Sequence, residues 1–282
     1  MNITYQEFIE VVPSATQPDE ELFNALHAEI ENKFHYIEDI IGQPLFGKLA
    51  ELEVSLLEPA EERIEDLVKA IKRFVATAAY HDAIPQLDLV LTSTGFGVVS
   101  NQNVAPASAE RVERLLQSLH VQSLKYFDHV LDLARYESDF IDSKGYRLYL
   151  NSFFWHYRQA RMDLGIPEAT RDNLNEMRPA INEAEAAVRT LISPEFFNEL
   201  LNAERTAGAT ILQRTAIDLV RKVLASVVTK SPMAKTMTRT LLSFLDDRIE
   251  MFPTYANSTA YQANHFKPYE NAKEDSCFFF GA

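Results

Sequence analysis

Cysteine is almost missing from this chain. Cys277 stands alone, which excludes an intrachain disulfide framework. Glycine is scarce as well, eight residues in 282, leaving little material for loops that cradle phosphate. The one G-x-G, Gly95-Phe96-Gly97, has neither a third glycine nor a helical pattern directly behind it, so it is no dinucleotide fingerprint. No apolar run approaches the roughly 18 residues that read as a bilayer span. Positive charge is in deficit: 27 basic residues against 41 acidic ones give a formal net charge of −14. Such a surface repels polyanions, and the densest basic stretch, Lys230 to Arg239, is too sparse to reverse that locally. The opening "MNITYQEFIEVVPS" lacks the basic and apolar regions of a secretory signal. Reducing, cytoplasmic surroundings are therefore expected, with no membrane and no nucleic acid as partner.

What the chain does have is helical period. After Pro18, the acids Asp19, Glu20 and Glu21 favour a helix start. Leu22, Leu26, Ile30, Phe34, Ile37 and Ile41 then recur at steps of three or four and form one apolar stripe. Gly42 stops it. A short helix is expected from Pro44 to about Glu53, and a longer one from Glu61 to Ala83 with Ile64, Leu67, Ile71, Phe74 and Val75 inward. Ser108 is placed to cap another, whose buried face is Val112, Leu115, Leu119, Phe127, Val130 and Leu131. Residues 136–149 read as a connector, helical period resumes from about Asp172, and the last 30 residues promise little regular structure.

One stretch breaks the pattern. "LDLVLTSTGFGVVS" (87–100) alternates Leu87, Leu89 and Leu91 with Asp88, is split by a Ser-Thr-Gly turn, and continues its apolar face through Phe96 and Val98. It predicts a β-hairpin over about 86–100. The halves also echo one another. "IIGQPLFGKLAELE" (40–53) lies over "LISPEFFNELLNAE" (191–204), matching Ile41 with Ile192, Phe46 with Phe197 and Leu49 with Leu200, 151 positions apart. Asp66-Leu67-Val68 matches Asp218-Leu219-Val220 one position further on. The expected fold is thus mainly α, with helical bundles in two duplicated halves, 1–142 and 143–282. The hairpin belongs to the first half and an irregular tail to the second.

No constellation of residues demands chemistry. The motifs G-x-S-x-G and H-E-x-x-H are missing, and so is a P-loop. His27, Glu31 and His35 share one helical face at metal-ligand spacing, but they flank the core stripe and bring no fourth ligand. His81 and Asp82 close a helix, where histidine suits the negative pole. Asp246 and Asp247, being adjacent, point apart. Tyr149, Phe153, Phe154, Trp155 and Tyr157 form an aromatic cluster that suits a core better than a ligand platform. No catalytic residue, cofactor or metal is expected. Two apolar features point to protein contacts instead. The hairpin needs a surface to cover it, which assigns an interface to Leu89, Leu91, Thr92, Gly95, Phe96 and Val98. Phe278, Phe279 and Phe280, near the end of the sequence, are costly in water and join that set.

The run from 71 to 115 carries Pro85, Leu87, Thr92, Gly95, Pro106, Ala107, Ser108 and Arg111. In this order they resemble an uncharacterised helical family of Bacteroides-type bacteria and their prophages. Its members lead a helix into "P-x-L-x-x-x-x-T-x-x-G", a return strand and a long helix. The closing Y-x-x-S-x-x-Y (Tyr255, Ser258, Tyr261) and the Phe280-Gly281 ending are similar too. Prophage members of that family look like head–tail connector proteins that stack as rings at the phage neck. The resemblance implies a non-enzymatic virion structural protein that assembles with itself and with neighbouring neck or portal proteins, in the host cytoplasm or in the virion. The alternative from the residues alone is a bacterial helical ligand-binding or regulatory module built around Trp155.

Overall fold

A computed structural model describes residues 1–12, 20–54, 62–87, 89–92, 95–98 and 108–265. Contacts within it divide the chain into two compact units. Unit 1 comprises Met1–Arg178 with Arg205–Ala207, and unit 2 comprises Pro179–Glu204 with Gly208–Ala282. Residues 143–178, assigned above to the second half, fall in unit 1.

Unit 1 opens with α1 (Tyr5–Val11), whose cap follows from sequence. Thr4 Oγ1 accepts the Glu7 N–H at 3.2 Å, and the Glu7 carboxylate accepts the Thr4 N–H at 2.8 Å, so two orphan donors are satisfied reciprocally. The stripe from Leu22 to Ile41 is broken at Leu26 into α2 (Glu20–Ala25) and α3 (His27–Ile41). After α4 (Gln43–Val54) come α5 (Glu62–Leu87) and α6 (Ala109–Ala134), two long helices packed along each other. A 3-10 turn (Ser138–Phe140) leads into α7 (Lys144–Tyr149), α8 (Tyr157–Asp163) and the first turns of α9 (Arg171–Ile192). The core is continuous from Phe8 through Ile37, Ile71 and Phe127 to Trp155.

The hairpin expected over about 86–100 has to be corrected. Helix α5 runs through Pro85 to Leu87, because the proline sits in the last turn and forfeits only its own N–H bond. Ala83 and Ile84, buried just before it, hold the backbone helical. Pairing is confined to the backbones of β1 (Leu89–Thr92) and β2 (Gly95–Val98), antiparallel with Leu91 opposite Phe96. No third strand joins them among the described residues. The architecture is helical, and no β layer lies in the described core.

Unit 2 repeats the order of unit 1. Its part of α9, then α10 (Pro194–Arg205), α11 (Ile211–Val228) and α12 (Ala234–Asp246), follow as α3, α4, α5 and α6 do. A 3-10 turn (Ile249–Met251), α13 (Pro253–Ala256) and α14 (Thr259–Asn264) close it, so the described part of the C-terminal stretch is more regular than its composition promises. The joints match as well. Gly42 links α3 to α4 at φ +87°, and Ser193 links α9 to α10 at φ +80°. A one-residue link between helices needs this left-handed backbone, which glycine adopts freely. Serine tolerates it here with its Oγ accepting the Phe196 N–H at 3.2 Å.

The closing turns repeat too. Ser143 Oγ caps α7 by accepting the Tyr146 N–H at 3.0 Å, and Ser258 Oγ caps α14 by accepting the Tyr261 N–H at 3.1 Å. Three residues before each serine lies a fully buried ring, Phe140 or Tyr255. Each ring meets the capped tyrosine edge-on, at 5.9 and 5.4 Å. F-x-x-S-x-x-Y and Y-x-x-S-x-x-Y are one device used twice.

Candidate functional site

The residues chosen from sequence as an interface divide into two groups. Leu89, Leu91 and Thr92 lie on β1, and Gly95, Phe96 and Val98 on β2; only their backbones are described. Phe278, Phe279 and Phe280 lie outside the described residues.

Three polar clusters of unit 1 are fully described. The deepest joins α6, α8 and α9. Asp128, wholly buried on α6, takes the guanidinium of Arg171 from the first turn of α9 and accepts the Tyr157 N–H at 2.8 Å. Arg171 also donates to the Trp155 carbonyl at 2.8 Å and lies over the rings of Phe127 and Tyr149. Burial pushes the Asp128 carboxyl up, against the pull of Arg171 and the Tyr157 N–H. Beside it His156 caps α8, its Nδ1 accepting the Arg158 N–H at 3.0 Å. Burial, and then the positive charges of Arg158 and Arg171, drive its pKa down to about 3. It is a neutral acceptor at ordinary pH, a role that its position alone does not reveal. Trp155 is 2% exposed, with the Arg135 guanidinium 5.0 Å from its ring centroid. The aromatic cluster is core.

A second cluster runs across α3, α5, α6 and α9. Lys33 holds Asp82, whose other oxygen lies 2.7 Å from His81 Nδ1. The His81 ring faces that of His120 at 5.6 Å, and His120 Nε2 lies 2.7 Å from Asp172. Burial would raise the Asp82 carboxyl, but hydrogen bonds from Lys33 and His81 outweigh it and hold the group below the usual carboxylate range. Each imidazole thus spends one nitrogen on a carboxylate, and the seam fastens four helices. His120 and Asp172 were not singled out from sequence; 52 positions separate them, and no local pattern joins them.

The third cluster is the stripe His27, Glu31, His35. It lies on the outer face of α3, where His35 sits 3.9 Å from Glu31 and 3.5 Å from Glu38. With Met1, Asn2, Phe34 and Phe46 it lines an open depression. Among the described residues no three histidine, cysteine or acidic side chains are arranged to hold a metal ion.

Residues 37–146 match the model of a family of unknown function, DUF6712. The matched region runs from the last turns of α3 to Tyr146, the tyrosine that closes the first F-x-x-S-x-x-Y device. It contains the 71–115 block, so the likeness to an uncharacterised family holds at that level. No curated protein and no solved structure matches the chain.

Proposed function

We propose that the chain is a structural protein that works by assembling with copies of itself, of phage or prophage origin and head–tail connector type. The supporting observation is how the polar side chains of unit 1 are used. Arg171, Asp128, His156, His81, Asp82, His120 and Asp172 are each engaged in fixing one helix to another or in capping one. Polar side chains spent on joining and capping helices suit a rigid scaffold with a defined packing. The resemblance of the 71–115 block supplies the connector reading, and a ring of subunits joined by one heterologous contact is its geometric form. Association with neck or portal proteins would follow assembly. The ligand-binding alternative needs Trp155 to be reachable, and the core encloses it.

Electron microscopy of the concentrated full chain tests the reading. Closed rings of uniform diameter are expected. Isolated single particles at the highest attainable concentration would contradict it.

A further inference from the structure

The two facing imidazoles of unit 1 each keep a nitrogen in reserve. His81, near the end of α5, meets the Asp82 carboxylate at 2.7 Å through Nδ1, and His120, in the middle of α6, meets Asp172 at 2.7 Å through Nε2. A carboxylate only accepts, so each neutral ring must give its N–H to that bond. Asp82, whose other oxygen is held by Lys33, is kept ionised against the pull of burial. The proton is thereby fixed on Nδ1 of His81 and on Nε2 of His120. One lone pair per ring remains, on His81 Nε2 and His120 Nδ1, and neither atom has a hydrogen-bond partner among the described residues.

Fastening the seam accounts for the carboxylates and leaves the second nitrogens unused. A carboxylate on one imidazole nitrogen is the arrangement that orients a histidine towards a metal ion on the other and raises its basicity. Two imidazoles sharing one tetrahedral ion, at about 2.0–2.1 Å per nitrogen, have ring centroids roughly 5–6 Å apart. These rings stand 5.6 Å apart, inclined at 40°. Plain ring packing fits that distance too, but it gives the lone pairs no use. The His81 and His120 side chains are 29% and 44% exposed, so an ion reaches them from solvent. Lys33 brings one positive charge to the cluster, and Asp82 and Asp172 bring two negative ones, a balance that attracts a cation.

We infer that His81 and His120 form a two-histidine site for a divalent transition-metal ion of the zinc, nickel or copper class. The ion bridges α5 and α6, with Asp82 and Asp172 as positioning residues. Imidazole suits these ions, whereas magnesium and calcium take oxygen ligands. Among the described residues no third histidine, cysteine or acid completes a three-ligand cluster, so water fills the rest of the coordination shell. Such a site lacks the closed shell of a structural zinc centre; the ion exchanges, and it adds to stability without being needed for folding. Nothing in the site depends on the self-association proposed above, because every residue of it lies in unit 1.

Calorimetric titration of the full chain with zinc chloride, in chelator-free buffer, tests this. Saturable binding is expected, together with a rise in melting temperature, since an ion that binds only the folded state stabilises it. Both should vanish in the double variant His81→Gln, His120→Gln and persist in His35→Gln and Cys277→Ser. Asp172→Asn should weaken binding by about 10- to 100-fold without abolishing it, as loss of an orienting carboxylate does. Should the double variant fail to fold, modification of the native chain by diethyl pyrocarbonate decides the matter. Zinc should then protect His81 and His120 and leave His27 and His35 reactive. A native chain that takes up no zinc, or a folded double variant that binds it as tightly as the native chain, would overturn the site. So would binding lost with His35→Gln or Cys277→Ser, or protection that falls on the α3 histidines instead.

Discussion

His156 and Arg171 show how much a single side chain does here. His156 is accepted into the core only as a neutral ring, because its Nδ1 lone pair caps α8. The unfolded chain protonates this histidine near its ordinary value of 6.5, and the folded chain only at about 3. Below neutrality the unfolded state therefore binds the extra proton, so stability is full above about pH 6.5 and falls as pH drops towards 3. The slope it contributes is at most about 1.4 kcal/mol per pH unit. Urea unfolding at a series of pH values should show this decline, and His156→Asn, which retains a capping acceptor, should flatten it.

Arg171 sets a second expectation. Replacing it with leucine leaves Asp128 buried without its cation, which costs about 3–5 kcal/mol. The double replacement Arg171→Leu, Asp128→Leu should cost clearly less than the two single changes added together, as a double-mutant cycle would read. Neither residue was legible from sequence as a pair. They are 43 positions apart, and an aspartate facing inward on an amphipathic helix declares itself only when its partner helix arrives. The fate of Trp155 was legible, because five aromatic residues within nine positions are hard to place anywhere but in a core.

At the scale of elements, the two closing devices differ two residues after the capping serine, where one has Gly145 and the other Ala260. A Cβ at Gly145 would stand 2.6 Å from the Ile40 carbonyl oxygen and 2.7 Å from Ile40 Cγ2, so α7 rests directly on the last turn of α3. Gly145→Ala should destabilise unit 1 by about 1–3 kcal/mol through overpacking, measured by thermal or urea unfolding. Ala260 holds the equivalent place in unit 2 and already carries the methyl. Ala260→Gly there should cost no more than about 1 kcal/mol, the price of helix propensity.

Helical period made most helices readable, and Gly42 marked the end of α3 as expected. The α5–α11 correspondence was read one residue out. Ile64, Leu67, Ala70 and Ile71 share their burial with Ile217, Val220, Val223 and Leu224, while Leu219 is only half-buried. Identity of letters favoured Asp-Leu-Val over Asp-Leu-Val, whereas the buried phase follows the core. Pro85 misled for a related reason: a proline in a last turn breaks one bond and leaves the helix otherwise intact.

For the whole molecule, composition excluded more than it selected. The single cysteine and the acidic balance were plain at once, and no described helix is long and apolar enough to cross a membrane. The repeat of module order was visible in the 40–53 and 191–204 blocks. Its full extent, including the paired F/Y-x-x-S-x-x-Y turns, needed the geometry, because each turn rests on a serine cap and a ring contact that the letters alone do not show. The family match covers residues 37–146, and that family is one of unknown function.

The function proposed for the whole chain is self-association. Light scattering of the full chain in solution, with molar mass followed as concentration rises, tests this most directly. Self-association predicts a mass that climbs with concentration to a fixed integral multiple of the monomer. A mass that holds at one chain across the whole range would contradict it.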